Sequence, residues 1–91
     1  MVNIETAKKF IDNFELSEAK SCLEKLISQN IEKDEALYLL GNIVRREGNF
    51  AQAINYYGKA LEENPENKAA ESGIEMLNEI LAYRNTDLLN P

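Results

Sequence analysis

The chain has 91 residues, 44% apolar and 29% charged, with a net charge of −6. A chain of this length is one domain of globular composition, and it buries about 60–65% of the surface its unfolded form exposes. It has no histidine, which removes the commonest general base and a common metal ligand, and a single cysteine, Cys22, which leaves no internal disulfide and favours a reducing cytoplasm.

The acids are unevenly placed. Residues 1–61 carry nine acids and eight bases, whereas residues 62–91 carry seven acids and two bases. An acidic balance repels phosphate backbones, so nucleic acid is not an expected partner. No apolar run approaches the ~18 residues of a membrane span, so no membrane partner is expected. The N-terminus has no basic stretch followed by an apolar one, so no signal peptide is visible.

The first helix is predicted over about Ile4 to Asp12. Asn3 is a suitable N-cap, and Glu5 lies in the first turn, where the helix dipole favours an acid. Its apolar face is Ala7, Phe10 and Ile11. The corner Asn13-Phe14-Glu15 opens a second helix, Leu16 to Ser28, with Leu16, Ala19, Leu23, Leu26 and Ile27 at helical spacing. A polar connector, Gln29 to Lys33, leads to Asp34 as a candidate cap.

The third helix is predicted from about Glu35 to Glu47, with Leu37, Leu40, Gly41 and Val44 on one stripe. Gly48-Asn49 ends it, since glycine accepts the left-handed conformation of a C-terminal turn. A fourth follows from Phe50 to Glu63, with Phe50, Ala53, Ile54, Tyr57, Ala60 and Leu61 inward. Pro65 stops it. Asn67 caps a fifth helix, Lys68 to Tyr83. Its stripe is Ala70, Ile74, Leu77 and Leu81, widened by Met76 and Ile80. Gly73 inside it costs about 1 kcal/mol relative to alanine and points to close packing or a weak point. Residues 84–91 show no clear periodicity and are taken as a tail. Leu88-Leu89 within it has three readings, folding back on helix 5, disorder, or docking in another molecule, of which the first is favoured.

The pattern repeats. Ala7 aligns with Gly41, Phe10 with Val44, Leu16 with Phe50, Ala19 with Ala53, Leu23 with Tyr57 and Ile27 with Leu61, each 34 residues apart. A fixed period of this length, with two helices in each, marks a repeat architecture. Residues 34–67 resemble the tetratricopeptide repeat. Leu37, Leu40, Gly41 and Val44 stand at its large–large–small–large positions. Gly48 and Phe50 stand at the turn, and Ala53, Tyr57, Ala60 and Pro65 at the small, aromatic, small and proline positions that follow. Gly41 facing Ala53 would let two helix backbones approach closely. The first period is degenerate, with Asn3, Thr6, Leu26 and Ile31 off the pattern, but it keeps the Ala7/Ala19 pair.

The resemblance implies an all-α, right-handed stack of helical hairpins in five helices. Repeat one covers residues 1–33, repeat two 34–67 and a capping helix 68–83, so that a domain over 1–83 is followed by a tail over 84–91. It implies a protein–protein interaction module, a small adaptor or scaffold with no catalysis and no cofactor. A peptide or protein segment would lie in a concave groove lined by the first helix of each repeat. Helix 3 would offer Glu35, Tyr38, Asn42, Arg45 and Arg46 to that groove or its rim. Helix 1 would offer Ile4, Lys8, Ile11 and Asp12, and helix 5 some of Ser72, Met76, Glu79, Ile80 and Tyr83. The peptide-binding set is therefore Lys8, Glu35, Tyr38, Asn42, Arg45, Arg46 and Met76. A clamp for a C-terminal carboxylate is not expected, because Ile4 and Leu39 stand where basic or amide groups would be wanted.

Arg45-Arg46 has two readings: the plainer one, that the pair stabilises the helix C-terminus and binds local acids, and a functional one, an acidic-peptide contact. Glu71, Glu75 and Glu79 form one acidic stripe on helix 5. Such a stripe is ordinarily a solvated face; its functional reading is a basic partner. Cys22 is read as structural. Two repeats and a cap approach the minimum for a stack, since each repeat needs a neighbour to bury its open face. A homodimer through an open stack face is the alternative reading.

Overall fold

The computed structural model describes residues 2–89, with side chains as far as Tyr83. Its elements are α1 (Ile4–Asp12), α2 (Leu16–Ser28), α3 (Lys33–Arg46), α4 (Phe50–Glu63) and α5 (Lys68–Leu89), and there is no strand among the described residues. The first four form two hairpins, α1–α2 and α3–α4, and α5 packs on α4. This is the all-α helical stack expected.

Asparagines start three of the helices. The Asn3 side chain accepts a hydrogen bond from the Thr6 backbone N–H at 2.8 Å, Asn49 from Gln52 at 3.2 Å and Asn67 from Ala70 at 3.0 Å. Each satisfies one of the backbone donors that a helix start leaves unpaired. Asp34 is not a cap. α3 starts earlier, at Lys33, behind a left-handed Glu32 with φ 43°. The Asp34 carboxylate instead accepts from the side-chain amides of Asn64 and Asn67, each at 3.1 Å, and ties the start of α3 to the α4–α5 turn.

Three helix ends share one turn. After α1 the Glu15 N–H donates to the Phe10 carbonyl and the Phe14 N–H to Ile11. After α2, Ile31 donates to Leu26 and Asn30 to Ile27; after α3, Asn49 donates to Val44 and Gly48 to Arg45. These pairs are the Schellman motif, which needs a left-handed residue just past the helix. That residue is Phe14 (φ 60°), Asn30 (φ 56°) and Gly48 (φ 86°) in turn. Phe14 and Gly48 stand one period apart, so the first hairpin keeps the turn and loses the glycine.

The core is in two parts that share α3. One gathers Ile4, Ala7, Ala19, Cys22, Leu23 and Leu26 with Ala36, Leu39, Leu40 and Ile43 of α3. The other gathers Ala53, Tyr57, Ala60, Ala70 and Leu77 with Leu37 and Val44 of α3. The expected stripe on α3 was therefore half of its buried surface. Ala36, Leu39 and Ile43 form a second stripe, as befits a helix packed on several sides.

Tyr57 separates α3 from α5. A Cβ on Gly41 would come within 2.5 Å of its ring, and one on Gly73 within 2.8 Å. Gly41 thus makes room for the Tyr57 ring rather than for Ala53, and Gly73 is a close-packing site on the opposite edge of the same ring. α5 also corrects an expectation: it runs through Leu89, six residues past Tyr83. The side chains of Leu88 and Leu89 lie outside the described residues.

Candidate functional site

α1, α3 and α5 present side chains to two adjoining cavities. The first, about 250 Å³, lies between α1 and α3 and is lined by Lys8, Ile11, Asp12, Leu39, Asn42, Ile43, Arg45 and Arg46. The second, about 220 Å³, lies between α3 and α5 and is lined by Tyr38, Asn42, Arg45, Tyr57, Ala69, Ser72, Gly73 and Met76. Asn42 and Arg45 line both, so the two cavities lie side by side along one turn of α3, as the two halves of a channel with these side chains as their common wall.

The helical spacing of α3 explains the arrangement. Tyr38, Asn42, Arg45 and Arg46 stand three or four residues apart and so share a side of the helix. Leu37, Leu40, Gly41 and Val44 are buried beside them. The Tyr57 hydroxyl reaches up from the second core and donates to Asn42 Oδ1 in a short hydrogen bond. The amide nitrogen of Asn42 remains to donate into the channel. Burial pushes the Tyr57 phenol above its ordinary pKa, and the neighbouring Arg45 guanidinium opposes this through its charge and by hydrogen bonding. The Tyr38 ring sits 5.7 Å from the Tyr57 ring, tilted by 34°.

Arg45 is only partly satisfied. Its Nε is buried and has no hydrogen-bond partner. Among the described residues the ion pairs are Lys20 with Glu47 at 2.8 Å and Lys33 with Glu63 at 3.1 Å; neither involves Arg45 or Arg46. Both arginines do stand in the last turn of α3. The expected pairing with local acids is absent there.

Of the expected set, Lys8, Asn42, Arg45 and Arg46 line the first cavity, and Tyr38, Asn42, Arg45 and Met76 line the second. Glu35 is half-buried and lines neither. From α5, Ser72 and Met76 line the channel, whereas Glu79, Ile80 and Tyr83 do not. Sequence reading missed Ile43, Tyr57, Ala69 and Gly73 as lining residues. Tyr57 was assigned wholly to the core, although its polar tip signals that a buried tyrosine ends at a partner. Ala69, Ser72, Gly73 and Met76 stand at helical spacing on one side of α5, but nothing in that spacing by itself turns this side to the channel.

A larger cavity, about 550 Å³, opens between α2, α3 and α4 around Ile27, Leu37, Leu40 and Tyr56. Both of its bases have partners within the protein, while its acids outnumber them, with Glu24, Glu62 and Glu63 in the lining. Lys33 pairs with Glu63, and Lys59 lies 5.9 Å from the Tyr56 ring centre. Cys22 is buried, with its thiol 3.7 Å from the Asn3 carbonyl, in keeping with a packing role. No group of three or more His, Cys, Asp or Glu among the described residues could hold a metal ion. No helix among them is long and apolar enough to cross a membrane.

Residues 34–67 match the family model described as Tetratricopeptide repeat. No curated protein and no solved structure matches the chain significantly.

Proposed function

We propose, because residues 34–67 match the tetratricopeptide repeat, whose repeats generally mediate protein–protein interaction, that the chain binds a peptide or protein segment in the channel along α1, α3 and α5. The observation that carries this reading is the meeting of the two cavities on Asn42 and Arg45. Two shallow cavities side by side along one helix suit an extended segment better than a compact small molecule. Tyr38 and Met76 supply apolar contact, Asn42 a backbone-reading amide, and Lys8, Arg45 and Arg46 charge. Glu35 belongs to the rim. The role that follows is that of a cytoplasmic adaptor or scaffold with no reaction of its own.

The test is a peptide-display selection against the purified chain, followed by affinity measurement on the winners. Tyr38→Ala with Met76→Ala should weaken binding about tenfold or more while helicity is kept. Peptides that ignore this pair but are lost on Lys59→Ala or Glu24→Ala would move the site to the α2–α4 side and overturn the reading.

A second reading, a homodimer, is favoured by one observation. The outer side of the α1–α2 hairpin has a cavity of about 350 Å³ lined by Val2, Thr6, Phe10, Glu18, Ser21, Cys22 and Lys25. Its apolar members are those that a neighbouring hairpin would cover in a longer stack. Sedimentation over a range of concentrations, with Phe10→Glu as the disrupting variant, distinguishes the two.

A further inference from the structure

The channel carries a charge opposite to that of the molecule around it. Its lining holds three bases, Lys8, Arg45 and Arg46, against one acid, Asp12. The rest of the chain holds 15 acids against 7 bases. The hydrogen-bonding character is as one-sided as the charge. Asn42 Oδ1 is taken by Tyr57, which leaves a donor. The guanidinium of Arg45 has only donors, one of them buried and unpartnered. Apart from Asp12 and the hydroxyls of Tyr38, Tyr57 and Ser72, the polar groups left free here are donors.

The acids on α5 do not answer this. Glu71, Glu75 and Glu79 are exposed and line neither cavity. The expectation of a basic partner rested on those acids, and so it concerns the outer side of α5 rather than the channel.

We propose that the channel selects an acidic peptide segment, with aspartate or glutamate side chains taken by Arg45, Arg46 and Lys8 and an apolar side chain between Tyr38 and Met76. This rests on the channel being the binding site. Arg45 is the discriminating residue. Arg45 lines both cavities and carries a permanent positive charge with donors only, so a carboxylate between the cavities gains a charge-assisted hydrogen bond there. The acidic exterior adds selectivity, since it repels acidic chains everywhere except at the channel and disfavours nucleic acid as a whole. Recognition uses side-chain carboxylates, so the segment need not be a chain end.

The experiment uses three peptides of about ten residues, long enough to span the channel in extended form. All are acetylated and amidated, which removes terminal charges. One alternates glutamate with apolar residues, one carries glutamine and one lysine in place of glutamate. Binding is read by fluorescence anisotropy at about 0.02 M and about 0.2 M salt. The glutamate peptide should bind about tenfold or more tighter than the glutamine peptide and weaken with salt. Arg45→Gln should remove most of that preference. Lys8→Glu with Arg46→Glu, both at exposed positions, should turn the preference toward the lysine peptide, an outcome that misfolding would not produce.

No binding of the glutamate peptide, or equal binding of the glutamine peptide, overturns the acidic preference. Tighter binding of single-stranded RNA than of the glutamate peptide overturns it as well. A glutamine or lysine peptide that binds the parent best and is lost on Tyr38→Ala with Met76→Ala leaves the channel as the site and removes its charge selectivity. Binding that responds to no lining substitution removes both.

Discussion

Phe14 and Gly41 show how one side chain, or its absence, is set by backbone and space. Phe14 holds φ 60° and is 80% exposed, so its ring gains little burial in return for a conformation that disfavours a Cβ. Gly48 makes the same turn one period later without that cost. Phe14→Gly should therefore stabilise the fold by about 0.5–1 kcal/mol, the gain being trimmed by the greater freedom of glycine in the unfolded chain. Phe14→Asn should follow it in sign, because asparagine tolerates the left-handed region. Urea unfolding checks both; a lower midpoint for each variant would show that the exposed ring contributes contacts that outweigh its strain. Gly41→Ala goes the other way. Its new methyl would meet the Tyr57 ring, which Gly73 blocks on the far edge and which is 1% exposed. With no direction in which the ring can yield, the loss should be about 1–3 kcal/mol. A midpoint unchanged in Gly41→Ala would refute the wedge.

At the scale of elements, Asp34 ties the start of α3 to the far end of the second hairpin. Its carboxylate takes the amides of Asn64 and Asn67, whose own oxygens accept from the backbone N–H groups of Glu66 and Ala70. One carboxylate thereby orients two asparagines, one of which caps α5. Asp34→Ala should cost about 1–2 kcal/mol, partly through a less ordered Asn67. Hydrogen exchange should show the loss concentrated at the α4–α5 turn and the first turn of α5. Uniform loss across all five helices would place the role of Asp34 elsewhere. The sequence showed Asp34 only as a cap, because a cap needs local spacing whereas its observed partners lie 30 and 33 residues away. The elements themselves were legible from local chemistry: Asn3 marked the start of α1 and Pro65 the end of α4, while α2, which has no side-chain cap, followed from its apolar spacing. What periodicity could not supply was the setting of α5. Residue for residue, the 34-residue period sets Glu75 against Gly41, yet the structure seats Gly73 on the Tyr57 ring. The channel side of α5 follows that seating, which is why Ala69 joined the site and Glu79, Ile80 and Tyr83 did not. The lining of α3 was legible, since Tyr38, Asn42, Arg45 and Arg46 are fixed by helical spacing alone.

The whole molecule depends on α3. It is the wall shared by both parts of the core, with Ala36, Leu39, Leu40 and Ile43 on one side and Leu37 and Val44 on the other. Two clusters that share a rigid element cannot easily melt one at a time, because loss of either leaves apolar surface on α3 in water. A chain ended after Glu66 tests this. It would lack Ala70, Gly73, Leu77 and the cap at Asn67, and would expose Tyr57, Ala60, Val44 and Leu37. If the stack behaves as one unit, circular dichroism should show a helical loss well beyond the 22 residues of α5. The remaining signal should melt broadly, as nearest-neighbour coupling in repeat folds implies. Adding a synthetic peptide of residues 67–89 in excess should restore helix and a sharper transition by mass action. A truncated chain that keeps its remaining helix and a sharp melt would show instead that α1–α2 and α3–α4 already suffice. α5 would then serve to complete the channel, since Ser72, Gly73 and Met76 would still be missing from its lining and peptide binding would be lost from a folded protein.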